Sequence, residues 1–187
     1  MNFKNLLIGI CISFSTQTFT KEYLIGFGSC IDQDFPQPIW NSIESKDVDA
    51  FMFLGDNVYG DEPSGNLVKL KKSYETQSTL FPEWLKQKKI ISIWDDHDFG
   101  PNNSDRTAEG RMESLATFQS MWANLSYGEP GHPGIYHHFQ HGDIAFFMLD
   151  DRFYRSPNRS EDRGDKTMLG ERQWAWLKAG LKQSTAK

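Results

Sequence analysis

The chain lacks long apolar runs: beyond the N-terminus nothing approaches the roughly 18 residues a membrane-spanning helix needs, so no stable membrane span is expected. Basic patches with interleaved aromatics are also missing, which argues against nucleic acid as a binding partner. There are no internal repeats and no low-complexity tract. Cysteine is scarce, with only Cys11 and Cys30 in 187 residues, so a disulfide framework is excluded. What is present is an ordinary globular composition. The chain is 38% hydrophobic and 14% aromatic with a net charge of −5, enough to bury one substantial core.

The N-terminus has the pattern of an export signal. Lys4 precedes a mostly apolar segment at 6–14, and Ser13 and Ser15 supply small residues before Thr16. Residues 1–15 are therefore expected to be a signal peptide, with a periplasmic or secreted product; a buried first strand or helix is the alternative. Cys11 lacks the small residues that precede a lipidated cysteine. If the signal is removed, Cys30 is free, paired with another molecule, or a metal ligand.

Apolar runs alternate with amphipathic stretches, which implies an α/β fold. Strands are expected at 23–27, 48–54 and 90–94, and His141-Gly142 separates two more at 135–140 and 143–149. Helices are expected from Pro36 onward with Ile39 and Ile43 on one face, over 64–78 on the surface, and over 109–125 on Met112, Leu115, Phe118 and Trp122. A last helix over 170–183 places Trp174, Leu177 and Leu181 on one face. Residues 156–167 read as an exposed loop. His137 and His138 are adjacent on a strand, point to opposite faces, and suit packing or solvent better than metal binding.

Four of the strands end in polar clusters: Cys30, Asp56 with Tyr59, Asp95 to Asn102, and Asp150 to Arg155. Open α/β sheets bind ligands beyond the carboxyl ends of their strands. The third cluster, Trp94-Asp95-Asp96-His97-Asp98, packs three carboxylates behind a buried-looking strand. Such acids repel unless solvated, protonated or bound to a cation, and a hard metal ion is a natural partner. A solvated acidic turn is the plain alternative. Asp56 can bridge two cations, and Asp96 and Asn102 offer further oxygen. Tyr59 has an ordinary pKa of about 10 and can ligate only a strong Lewis acid such as iron(III). Cys30 can add a thiolate. Arg152 and Arg155 match phosphate oxygens, or pair with Asp150, Asp151 or Glu161. His97 can protonate a leaving alcohol or bond a phosphate oxygen. Two metals with arginine would suit phosphate-ester hydrolysis.

In that order, Gly28-Ser29-Cys30, Leu54-Gly55-Asp56-Asn57-Val58-Tyr59, Trp94-Asp95-Asp96-His97-Asp98 with Asn102, and Leu149-Asp150-Asp151-Arg152-Phe153-Tyr154-Arg155 resemble the PhoD-like alkaline phosphatase family of metallophosphatases. Gly134-Ile135-Tyr136, Met168-Leu169-Gly170, Gln173 and Trp176-Leu177 extend the match. The resemblance covers residues 22–184, and the domain is taken as 22–187. It implies an αββα sandwich and exported phosphomonoesterase or phosphodiesterase activity on small phosphate esters. It also implies a binuclear site of iron(III) and calcium. Cys30 and Tyr59 would hold iron, Asp56 would bridge, and Asp96 and Asn102 would hold the second ion. His97, Arg152 and Arg155 would act on substrate, with Asp95 and Asp98 orienting the ligands.

The family's last ligands come from a later Gly-Asp-x-His segment, which the 187 residues do not contain. The sandwich and site are therefore expected to be incomplete, in a C-terminally truncated domain. A non-catalytic metal- or phosphate-binding protein is the alternative to an enzyme. A nucleotide- or phospholipid-specific phosphodiesterase is a further one, with specificity in the loops at 100–110 and 155–167.

Overall fold

The computed structural model describes residues 22–186, so the expected signal peptide and Cys11 lie outside the described residues. Three parallel strands, β1 (Ile25–Gly28), β2 (Ala50–Leu54) and β3 (Lys89–Ile93), form one sheet in the order β1-β2-β3. Ile25 pairs with Ala50, and Ala50 with Lys89, so the three carboxyl ends lie side by side. The connections carry α1 (Ile39–Glu44), α2 (Val68–Leu80) and α3 (Glu83–Lys86). After β3 come α4 (Asp96–Phe99) and α5 (Arg111–Met121), then an antiparallel hairpin of β4 (His137–His141) and β5 (Ile144–Met148). Helix α6 (Gly170–Gln183) ends the described fold.

The alternation of strand side chains divides the core in two. Phe51 and Phe53 face a helical side, where they join Trp40, Leu70, Tyr74, Trp94, Phe118 and Trp122. Ala50 and Met52 face the other way, against Ile91 and against Phe139 and Met148 of the hairpin. The central strand β2 is thus covered on both faces, which explains why it reads as a continuous apolar run. The hairpin repeats the alternation: His137 is buried and His138 exposed.

Several expectations are corrected. Helix α2 runs from Val68 rather than 64, and it is no mere surface helix, since Leu70 and Tyr74 are fully buried. Helix α1 buries Trp40, while Ile39 is exposed. In α5 Met112 points to solvent and only the rest of the expected face is inside. In α6 Trp174 and Leu181 are exposed. The packed side is set instead by Gln173, Trp176, whose ring meets Tyr136, His138 and Phe147, and Gly180, which lies against Phe147. Apolar spacing predicted the helix but not which side docks, because tertiary partners decide that. The acidic stretch forms a single helical turn. The 156–167 loop is closed at its base, where the Ser156 N–H donates to Thr167 O at 2.7 Å and the Thr167 N–H to Ser156 Oγ at 2.9 Å.

Candidate metal centre at the strand ends

The loops that leave β1 and β2 are tied together. Cys30 N–H donates to Gly55 O at 3.1 Å, and Ile31 N–H to Asp56 O at 3.0 Å. Cys30 and Asp56 both adopt left-handed backbone, with φ of 58° and 49°. Such residues are uncommon away from glycine and cluster where the surrounding fold forces them. Gly55 before them must be glycine: φ is 101°, and a Cβ there would meet Asp95 Cβ at 2.6 Å. This close approach brings the ends of β2 and β3 into one corner.

In that corner Asp56, Asp96 and His97 each offer a ligand atom, all within 4.8 Å of one another. Both carboxylates are buried. Burial, and then the nearby Asp95 and Asp96 charges, raise the Asp56 carboxyl above its usual range, against the lowering effect of His97. Cys30 Sγ reaches Asp56 Oδ2 at 3.7 Å, and the His97 N–H reaches Asp56 Oδ1 at 3.4 Å. The Tyr59 ring lies 4.5 Å from the His97 ring. Burial, and then the hydrogen bond with Cys30, raise the Tyr59 phenol, so it stays protonated unless a strong Lewis acid binds. Two buried, mutually repelling carboxylates beside an imidazole form a donor set that a hard cation would relieve, so the residues fit a metal.

The expected site residues fall into two groups. Cys30, Asp56, Tyr59, Asp96 and His97 come together. Asn102 is exposed and, among the described residues, makes no hydrogen bond; its neighbour Asn103 instead donates its N–H to Asp96 Oδ2. Arg152 is buried and turns toward the protein. It forms a short two-point contact with Asp95, approaches Asp96 Oδ1 at 3.6 Å, and donates to Ser104 O at 3.3 Å. Neither Asp150 nor Glu161 is its ion partner; Asp151 lies at 3.7 Å from its Nε. Arg155 donates to Asn158 Oδ1 at 3.0 Å rather than joining the cluster. Asp98 lies behind the cluster and accepts the Asn57 N–H next to Asp56 at 3.0 Å.

Two positioning residues were not legible in advance. Asp61 Oδ1 lies 2.7 Å from His97 Nδ1. Burial alone would lower the imidazole, but the hydrogen bond and charge of Asp61, with Asp56 and Asp96, outweigh it and hold His97 above its ordinary value. The signal available was another acid closing the Gly55-Asp56-Asn57-Val58-Tyr59-Gly60-Asp61 run. Gln33 is buried; its Oε1 accepts the Tyr59 N–H at 2.8 Å and its Nε2 donates to Tyr59 O at 3.4 Å. Nothing in the sequence marks that pairing.

The chain is similar to known proteins in fold and in part of its sequence. A solved chain described as the structure of PhoD superposes with a TM-score of 0.64 at 21% identity, over 88% of this chain and 40% of that one. Alkaline phosphatase D of Bacillus subtilis (strain 168) is 29% identical over 119 residues, covering 51% of this chain and 20% of the relative. The chain thus spans about a fifth of the length of that curated relative. The PhoD-like phosphatase family model matches residues 74–187, which takes in Asp95 to Arg155 but not Cys30, Asp56 or Tyr59. Matching more than half of its length, the chain belongs to the PhoD-like phosphatase family.

Proposed function

We propose that the strand-end cluster binds metal and hydrolyses small phosphate esters, mono- or diesters. The observation that carries this is the approach of the Asp56 and Asp96 carboxylates and the His97 imidazole to within 4.8 Å, which sets two ligand carboxylates beside a proton donor. Cys30 and Tyr59, with Asp56, would hold iron(III). Asp96, with Asn102 from its exposed loop, would hold calcium, and Asp56 would serve both ions. When bound, such cations supply activation of water and neutralisation of charge on the phosphoryl group.

The chain's own residues have distinct parts in this reading. Asp61 accepts from His97 Nδ1 and favours the imidazolium, whose Nε2–H can then donate its proton to the departing alcohol or to a phosphate oxygen. Arg152 fixes Asp95 and steadies Asp96, so its guanidinium works on the ligand carboxylates and reaches phosphate only if it leaves Asp95. Arg155 swings from Asn158 to meet an anionic substrate. Asp95 and Asp98 orient the ligand-bearing turn. The hairpin laid over the parallel sheet is read as part of the αββα sandwich, residues 22–187 as one domain, and residues 1–15 as a signal that exports it to the periplasm or beyond.

The test is an assay of the iron- and calcium-loaded chain on aryl phosphate mono- and diesters. Metal-dependent turnover that disappears in Asp56→Asn is the expected result. No turnover above a metal blank would end the claim that this chain is an enzyme. One observation favours a second reading, a non-catalytic metal- or phosphate-binding protein: both candidate substrate arginines are engaged by protein partners. Metal uptake without turnover would support it.

A further inference from the structure

We infer that Asn158 is a positioning residue for the metal centre, holding Asp96 in place through Asn103. This rests on the metal-binding reading above. The two residues are 55 apart in sequence, and neither the acidic turn nor the substrate-side arginines suggest their pairing.

The chain of contacts is short and directional. Asp96 Oδ2 accepts the backbone N–H of Asn103. Asn103 itself adopts left-handed backbone, with φ of 61°, which asparagine tolerates better than most residues. Its own carbonyl accepts Asn158 Nδ2 at 2.6 Å. The amide orientation follows from its partners: Nδ2 faces a carbonyl, while Oδ1 faces the Arg155 guanidinium at 3.0 Å. The Asn158 backbone is fixed in turn, because its N–H donates to the buried Asp105 Oδ2 at 2.8 Å. One side chain therefore joins the loop after the acidic turn to the loop after Arg155.

The consequence concerns geometry rather than fold. A carboxylate that must ligate a cation is held by the groups that bond its other oxygen, and losing such support commonly weakens metal binding about 10- to 100-fold. Arg152 already stands near Asp96 Oδ1, so the Asn103 N–H is the matching support on Oδ2. Without Asn158 the Asn103 carbonyl is released, the backbone at Asn103 is free to leave its left-handed conformation, and Asp96 loses one of its two fixed neighbours.

The experiment uses the full chain with Asn158→Ala and, for comparison, Lys166→Met. Lys166 braces the same loop by donating to the carbonyls of Asn158 and Ser160, at 3.4 and 3.0 Å, without touching the Asn158 amide. Two readouts are taken. Hydrogen exchange of the Asn103 amide in metal-free protein should accelerate about tenfold in Asn158→Ala and stay near wild type in Lys166→Met. Calorimetric titration with calcium alone should show about a tenfold weaker dissociation constant in Asn158→Ala only. Unchanged exchange in Asn158→Ala overturns the inference whatever the metal result. So does equal weakening in Lys166→Met, which would mean general loosening of the loop. If wild type takes up no calcium, the calcium reading of the site fails; the exchange result still decides whether Asn158 positions Asp96.

Discussion

Asp98 and Asp150 are both fully buried carboxylates at the ends of strands, yet they are held in different ways. Asp98 sits on α4 and draws its donors from three directions: the Asn57 N–H after β2, the Tyr74 hydroxyl of α2 at 3.0 Å, and the Asp95 N–H at 3.1 Å. Asp150, after β5, takes the Trp94 indole N–H at 2.8 Å and three backbone N–H groups, from Ile135, Arg152 and Phe153. Its own backbone is gripped by Gln173, which accepts from Asp150 N and donates to Asp150 O, both at 2.8 Å. Burial raises both carboxyls, and the bonds only partly offset it. For Asp98 the result is about 7, with the Asp56 charge adding to the rise. The difference teaches which corner is rigid. Asp150 fastens the Arg152 segment to Trp94 for structural ends, while Asp98 underpins the acidic cluster and shares in its electrostatics.

Removing Asp150 should be the harsher change. Asp150→Ala strands four donors in the core, and each buried unmatched group costs about 1–3 kcal/mol before relaxation. A loss of about 4 kcal/mol in urea unfolding is expected, nearly independent of whether metal is added. A loss under about 1 kcal/mol would mean that the corner is hydrated and the contrast with Asp98 is wrong. Asp98→Ala should cost less, about 3 kcal/mol near pH 5, and its cost should shrink with pH. The sign follows from linkage. The folded carboxyl holds its proton up to about 7, well above its ordinary range, so the native state binds more protons than the unfolded chain through that interval. Stability from this group is full below the ordinary carboxylate range and is lost as pH climbs toward 7, by at most about 1.4 kcal/mol per pH unit. Wild type should therefore show a falling slope that Asp98→Ala flattens. Parallel curves for the two proteins would remove Asp98 from this account.

Much of the fold was legible because its signals are local. The run from Ala50 to Leu54 and the His141-Gly142 break announce strands that the structure contains. Cys30, Asp56, Asp96 and His97 could be grouped in advance because parallel neighbours put their carboxyl ends together, and sequence shows where strands end. What escaped was anything decided across a long separation. Arg152 looked like a substrate clamp beside two acids of its own segment, but its main partner is Asp95, 57 residues earlier. Asp150 seemed one more acid in that segment, although its tie to Trp94 crosses 56 residues. Trp174 and Trp176 are both large and apolar, and only the position of the hairpin leaves the first in water and covers the second.

The milder tests probe the supports of each aspartate rather than the carboxyl itself. Gln173→Ala removes both amide contacts to the Asp150 main chain and should cost about 2 kcal/mol, with no change in the slope of stability against pH, because no titrating group loses a partner. A changed slope would tie Asp150 to titration as closely as Asp98.

Tyr74→Phe is the finest test, since it deletes one hydroxyl and no ring. The ring packs edge-on to Trp122 and stays buried, so the loss should be only about 1 kcal/mol, that of a single hydrogen bond to a carboxyl. Its diagnostic value lies in pH. The Tyr74 hydroxyl is one of the groups that hold the Asp98 carboxyl down against burial. Without it Asp98 should titrate above 7, and the falling limb of the stability curve should extend further upward than in wild type. A uniform offset at every pH would mean that the hydroxyl only fills space, and Asp98 would then owe its proton to burial and to Asp56 alone.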